Sequence, residues 1–179
     1  MNFKKVNNGF SLLELILVIT LLLLVFGIVG SVFISNIKAV KELQTDIQIE
    51  TRNLSFINQL SKQLFAKYEK KPENIIIQRD RVSFYTYYPV FFEGAVRAEY
   101  IFEKTDNQKI KVIYEEFPYV DNNLGLEGIK KQYIGTFNKV YIEILQRDTW
   151  LENYRGKRFP RIIKLTLDDS IFYIAIRRR

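Results

Sequence analysis

Lys4-Lys5-Val6-Asn7-Asn8-Gly9-Phe10-Ser11-Leu12-Leu13-Glu14-Leu15-Ile16-Leu17 opens an apolar run that continues to Ile37. From Phe10 to Ile37 the one charged side chain is Glu14. Lysines bracket the run, with Lys4 and Lys5 before it and Lys38 and Lys41 after it. A helix needs about 20 apolar residues to cross a bilayer, and this run exceeds that. A carboxylate inside such a segment is expensive in lipid, so its presence points to a function.

Two ordinary membrane signals leave part of this pattern unexplained. A secretory signal peptide has an apolar core of about 7–15 residues followed by a small-x-small cleavage site. The run here is longer, and Gly27 and Gly30 have the wrong spacing for such a site. A signal anchor accounts for the length and for the cytoplasmic Lys4 and Lys5. It explains neither Glu14 nor the Gly-Phe junction between basic leader and apolar run.

Gly9-Phe10-Ser11-Leu12-Leu13-Glu14 resembles the processing motif of type IV prepilins and type II secretion pseudopilins. The resemblance implies cleavage between Gly9 and Phe10 by a membrane-bound prepilin peptidase, then N-methylation of Phe10. Glu14 takes the place of the family's fifth-position glutamate. Glycine lacks a Cβ and lets the scissile backbone approach an enzyme closely. Glu14 would lie one helical turn, about 6 Å, along the axis from the new amine. In a helical stack its carboxylate can meet the terminal ammonium of a neighbouring subunit. Each charge is costly alone in lipid, and removing one leaves the other uncompensated. The competing reading is a first-turn carboxylate that favours the helix dipole and snorkels to the headgroups.

Loss of residues 1–9 takes the formal charge from +7 to +5, 25 basic against 20 acidic side chains. Apart from Arg177-Arg178-Arg179 and Lys70-Lys71 the positive charges are dispersed. No basic patch interleaved with aromatics suggests nucleic acid. The chain has no cysteine and no histidine, which excludes disulfides and removes the commonest metal ligands and acid–base pairs. No phosphate-cradling glycine loop and no G-x-S-x-G occurs. The expectation is a protein that is not an enzyme and uses no cofactor. Asp121, Asn122, Asn123 and Glu127 carry oxygen ligands suited to calcium, but without the EF-hand spacing, so the stretch reads first as a solvated loop.

No proline occurs between Phe10 and Lys71. Leu43, Ile47, Leu54, Ile57, Leu60 and Leu64 recur at helical spacing with polar residues between them. Lys67, Lys70 and Lys71 gather before Pro72, a C-terminal signature. One helix is expected from Phe10 to Lys70, roughly 90 Å long by the helical rise. Residues 10–37 would form its transmembrane or filament-core part and residues 38–71 its amphipathic part. Residues 72–179 should form a β-rich periplasmic head. Strands are expected over residues 74–78, 82–87, 96–102, 110–114 and 140–144, with a closing hairpin of residues 162–167 and 171–176. The fold class is α+β: a long N-terminal helix packed on a β-rich head, as in pilins.

Trp150, a polar spacer and Phe159-Pro160-Arg161-Ile162-Ile163-Lys164-Leu165-Thr166-Leu167 resemble the C-terminal region of J-type minor pseudopilins. The alternative is a minor pilin of a type IV pilus or competence machine. Many major pilins kink the helix at a proline near the 22nd mature residue. That position is Ser31 here, which favours a minor subunit. The resemblance implies an inner-membrane, single-pass protein. Its partners would be other minor pseudopilins, the major pseudopilin, the prepilin peptidase and the inner-membrane assembly platform.

Overall fold

A computed structural model describes residues 11–120, 123–124 and 128–176. Among the described residues one helix, α1 (Leu12–Phe65), is followed by eleven strands: β1 (Ile75–Ile77), β2 (Arg81–Thr86), β3 (Val96–Lys104), β4 (Ile110–Val120), β5 (Asn123–Leu124), β6 (Lys130–Phe137), β7 (Val140–Gln146), β8 (Thr149–Leu151), β9 (Tyr154–Gly156), β10 (Ile162–Leu167) and β11 (Ser170–Ala175). The chain divides into two compact units, one running to Ile49 and one beginning at Glu50.

The first unit holds the apolar run of α1. It is long and apolar enough to cross a membrane, and none of the most apolar stretch is buried against protein. Two of its hydroxyls are satisfied within the helix: Thr20 donates to the carbonyls of Ile16 and Leu17, and Ser31 to that of Ile28. Back-bonding of this kind lets a polar residue sit in an apolar segment without an orphan donor.

The second unit packs the end of α1 on two antiparallel sheets. The larger runs β5-β4-β3-β2-β1-β9, with β6 also on β4; the smaller runs β11-β10-β7-β8. Strands β6 and β5 share one edge of β4: β6 pairs residues 110–116 and β5 pairs residues 119–120. Alternation sends Val96, Ala98, Tyr100 and Phe102 of β3 into the core, and Arg97 and Glu103 out. Phe56, Leu60 and Leu64 of α1 meet this face and the inner residues Ile142, Ile144, Ile163 and Leu165 of the smaller sheet in one cluster. Burying a side chain of this size is worth about 1.5–3 kcal/mol, so three residues at helical spacing fix the face α1 presents.

Several expectations change. The helix ends at Phe65, short of Lys70. Thr86 Oγ1, at the end of β2, donates to the helix's Gln63 carbonyl at 2.7 Å, and just past both elements the Tyr87 amide donates to the Ala66 carbonyl at 2.7 Å. Tyr68 then donates to the Tyr85 carbonyl, so residues 66–68 run as an extension of the sheet. The stop is a tertiary cap, and Pro72 lies beyond it. The second compact unit takes in the end of the helix, from Glu50. β5, β6, β8 and β9 add strands where none was expected, β5 within the stretch read as a loop, and β4 continues well past Tyr114. The closing hairpin forms as expected. Its turn needs no glycine because Asp168 takes the left-handed conformation at φ 51°, which aspartate tolerates.

Candidate functional sites: the helix start and the head

Of the residues assigned to processing, Gly9 and Phe10 lie outside the described residues. Glu14 lies in the first turn of α1. Ser11 caps that turn, its Oγ accepting the Glu14 amide at 3.2 Å while its carbonyl accepts the amides of Glu14 and Leu15. Ser11-x-x-Glu14 is thus the sequence signature of a helix cap, a role for Ser11 that the processing motif concealed. The return bond of a full capping box, from the Ser11 amide to the Glu14 carboxylate, is not made. Among the described residues that carboxylate has no hydrogen bond and no ion pair. It stands exposed among Leu12, Leu13, Leu15 and Ile16, all more than half exposed.

The head carries a polar chain through its core. Tyr100 donates to Gln63 Oε1 at 2.7 Å, Gln63 Nε2 donates to the Tyr114 hydroxyl at 2.8 Å, and that hydroxyl donates to Glu116. Glu116 is fully buried. Its carboxylate also accepts the backbone amides of Val90 (2.7 Å), Phe91 (3.0 Å) and Phe92 (2.9 Å). A buried charge persists only when it is hydrogen-bonded in this way. Burial pushes the Tyr100 phenol well above its ordinary value. Burial, together with the bond to Glu116, does the same for Tyr114. The outcome is a fixed loop, residues 87–92, that presents Tyr87, Tyr88, Val90 and Phe91 to solvent.

A second hub ties α1 to both sheets. Arg52 donates to the Thr136 carbonyl at 2.5 Å, pairs with Asp168 at 3.1 Å and lies 4.1 Å over the Phe137 ring. Asp168 also accepts the amides of Asn138 and Lys139, joining the β6–β7 and β10–β11 turns. Gly135 makes room for Arg52: a Cβ there would stand 2.6 Å from the arginine Cδ.

The outer faces of the two sheets differ. On the larger, Glu99 pairs with Arg81 (3.4 Å) and Arg97 (3.6 Å), and Glu115 with Lys131 (2.5 Å). The bond to Glu115 raises the Lys131 pKa. This face satisfies its own charges. On the smaller, Trp150 is half-buried outside the core, with the Lys164 ammonium 4.7 Å over its ring and Tyr173 at 6.0 Å. Lys164 also pairs with Glu143. Tyr141 and Ile171 complete an aromatic and aliphatic surface.

Among the described residues no group of three or more metal-ligating side chains is placed to hold an ion. Asp121, Asn122 and Glu127 lie outside them, so the calcium reading does too. Arg177, Arg178 and Arg179 are likewise outside. Among the described residues the arrangement offers exposed surfaces and, in Glu14, an acid without a partner. No family model, no curated protein and no solved structure matches the chain.

Proposed function

We propose that the chain is a minor pseudopilin of a type II secretion system, a membrane-anchored subunit that joins the tip complex of a periplasmic pseudopilus and supports protein export. The observation that carries this reading is Glu14. The only acid in the apolar run stands five residues after Gly9, in the first turn of an exposed apolar helix, and has no partner within the described residues. Cleavage after Gly9 would create an ammonium at Phe10. A neighbouring subunit's carboxylate is then the natural counter-charge, since an ion pair in lipid avoids two isolated charges.

In this reading the protein does mechanical work through assembly. The prepilin peptidase frees Phe10 and its amine is methylated. The assembly platform then lifts the chain out of the bilayer. The apolar part of α1 enters the filament core, and the head meets other minor pseudopilins and the major pseudopilin. No step calls for a cofactor or a nucleic acid.

The test is complementation in the native host. Deleting the gene should stop the release of folded exported proteins, and the wild-type chain should restore it. Glu14→Ala should be processed normally yet enter the tip complex at least tenfold less well and fail to restore export. Export that persists without the gene, while surface pili or DNA uptake are lost, would move the chain to a pilus or competence machine.

A further inference from the structure

Every open sheet has edges whose unpaired backbone groups invite another strand, and proteins blunt them with short strands, lysines, glycines or bulges. Three of the four edges here are blunted. The β6 edge carries Lys130, Lys131 and Gly135 and is broken by a register shift opposite Val112 and Ile113. β9 and β8 are three residues each, and β9 carries Arg155. The fourth, β11, is six residues long, Ser170-Ile171-Phe172-Tyr173-Ile174-Ala175, with no charge, proline or glycine.

Register fixes which groups on β11 are free. The two-residue turn makes Leu167 and Ser170 the first bonded pair, so Ser170, Phe172 and Ile174 bond to β10, and the Ile176 amide continues the series by donating to Arg161. Ile171, Tyr173 and Ala175 therefore point their N–H and C=O groups to the open side. Ile171 and Tyr173 are 56% and 64% exposed. At the far end of the strand a groove of about 880 Å³ separates Ala175 and Ile176 from Phe65 and Tyr87, with the Lys67–Glu69 ion pair beside it.

We infer that β11 receives one extended strand from a different subunit of the same assembly, which extends the smaller sheet to five strands. The free ladder groups specify a peptide backbone as the occupant. Spaced about 4.8 Å from β11, such a strand lays alternate apolar side chains against Ile171 and Tyr173 and runs its end into the groove. Charge selects it further. Asp169, at the turn, and Arg161, at the opposite end, are both exposed and have no ion-pair partner among the described residues. The strand therefore carries a cation at the Asp169 end and an anion at the Arg161 end. The inference rests on the assembly function proposed above for its source of partner, but not on cleavage at Gly9.

The test uses the full chain in its native membrane, with a photo-crosslinking residue at Ala175 and, as a control, at Lys131. The expected result is a covalent adduct at 175, absent at 131, that peptide mass spectrometry maps to an alternating apolar segment of another subunit. Tyr173→Pro removes one ladder donor at a position where an edge tolerates proline, and should lower the adduct at least tenfold while the melting temperature holds. Should that variant fail to fold, Ile171→Lys places a gatekeeper charge on the edge and should lower the adduct in the same way. An adduct undiminished in the folded variant, an adduct to a second copy of this chain, an adduct mapping to a helix, or labelling at 131 alone overturns the inference. A chain that keeps residues 1–9 yet forms the strand adduct would sink the pseudopilin reading and leave the edge assignment standing.

Discussion

Glu116 is the residue on which the head's most unusual feature turns. One carboxylate accepts three successive loop amides and a phenol with no solvent around it. Glu116→Gln replaces an acceptor of four bonds with a group that must also place two donors. Hydrogen bonds to a charged group contribute about 1.5–3 kcal/mol each, and the variant should lose at least that much in urea unfolding. Limited proteolysis should then cut within residues 87–92. Arg52→Ala removes a carbonyl bond, a half-buried ion pair and a cation–π contact together, and should cost about 2–3 kcal/mol. Arg79→Ala breaks a pair that is largely in water and should stay within about 0.5 kcal/mol. Neither Glu116 nor Arg52 was legible in the sequence. Glu115-Glu116 reads as two solvated acids, and strand alternation alone, once β4 is known to extend past Tyr114, sends the second one inward. Arg52 acts through partners more than eighty residues away.

The elements divide by how local their signals are. The apolar run of α1, the β3–β4 pair and the β10–β11 hairpin each carry a pattern complete within the segment, and each is found where its period places it. β6 does not. Lys130, Lys131 and Gln132 face solvent, and only Gly135 and Phe137 are buried, so half the strand has no apolar face to read. The helix stop is the reverse case: Lys67, Lys70, Lys71 and Pro72 form a strong local signal that a non-local cap overrides. Thr86→Val keeps the shape and removes the hydroxyl that caps the Gln63 carbonyl. It should lower stability by about 1–2 kcal/mol and raise hydrogen exchange in the last turn of α1 and at residues 66–68. A Trp150→Ala substitution tests the smaller sheet's outer face. The tryptophan is not in the core, so the variant should keep nearly all of its stability.

Across the whole molecule, the head's buried phenols set a limit on its alkaline stability. Tyr100 and Tyr114 have folded pKa values above the ordinary 10.0, so the folded state keeps two protons that the unfolded chain releases. Their contribution is fully present below pH 10 and is lost as pH rises beyond it. The stability of the detergent-solubilised chain should fall between pH 10 and pH 11.5 by about 1.4 kcal/mol per pH unit for each phenol. Tyr114→Phe should remove about half of that slope. The same chain joins this well-packed head to an apolar helical stretch, residues 12–37, whose side chains are covered by nothing among the described residues, and that imbalance gives the lone acid its meaning. The central claim is that the chain is cut after Gly9 so that a new amine meets Glu14 of a neighbour. Intact-mass and terminal-peptide spectrometry of the protein from its native host tests it most directly. The account predicts a chain beginning at N-methylated Phe10, and a chain that still begins at Met1 where the peptidase is active would contradict it.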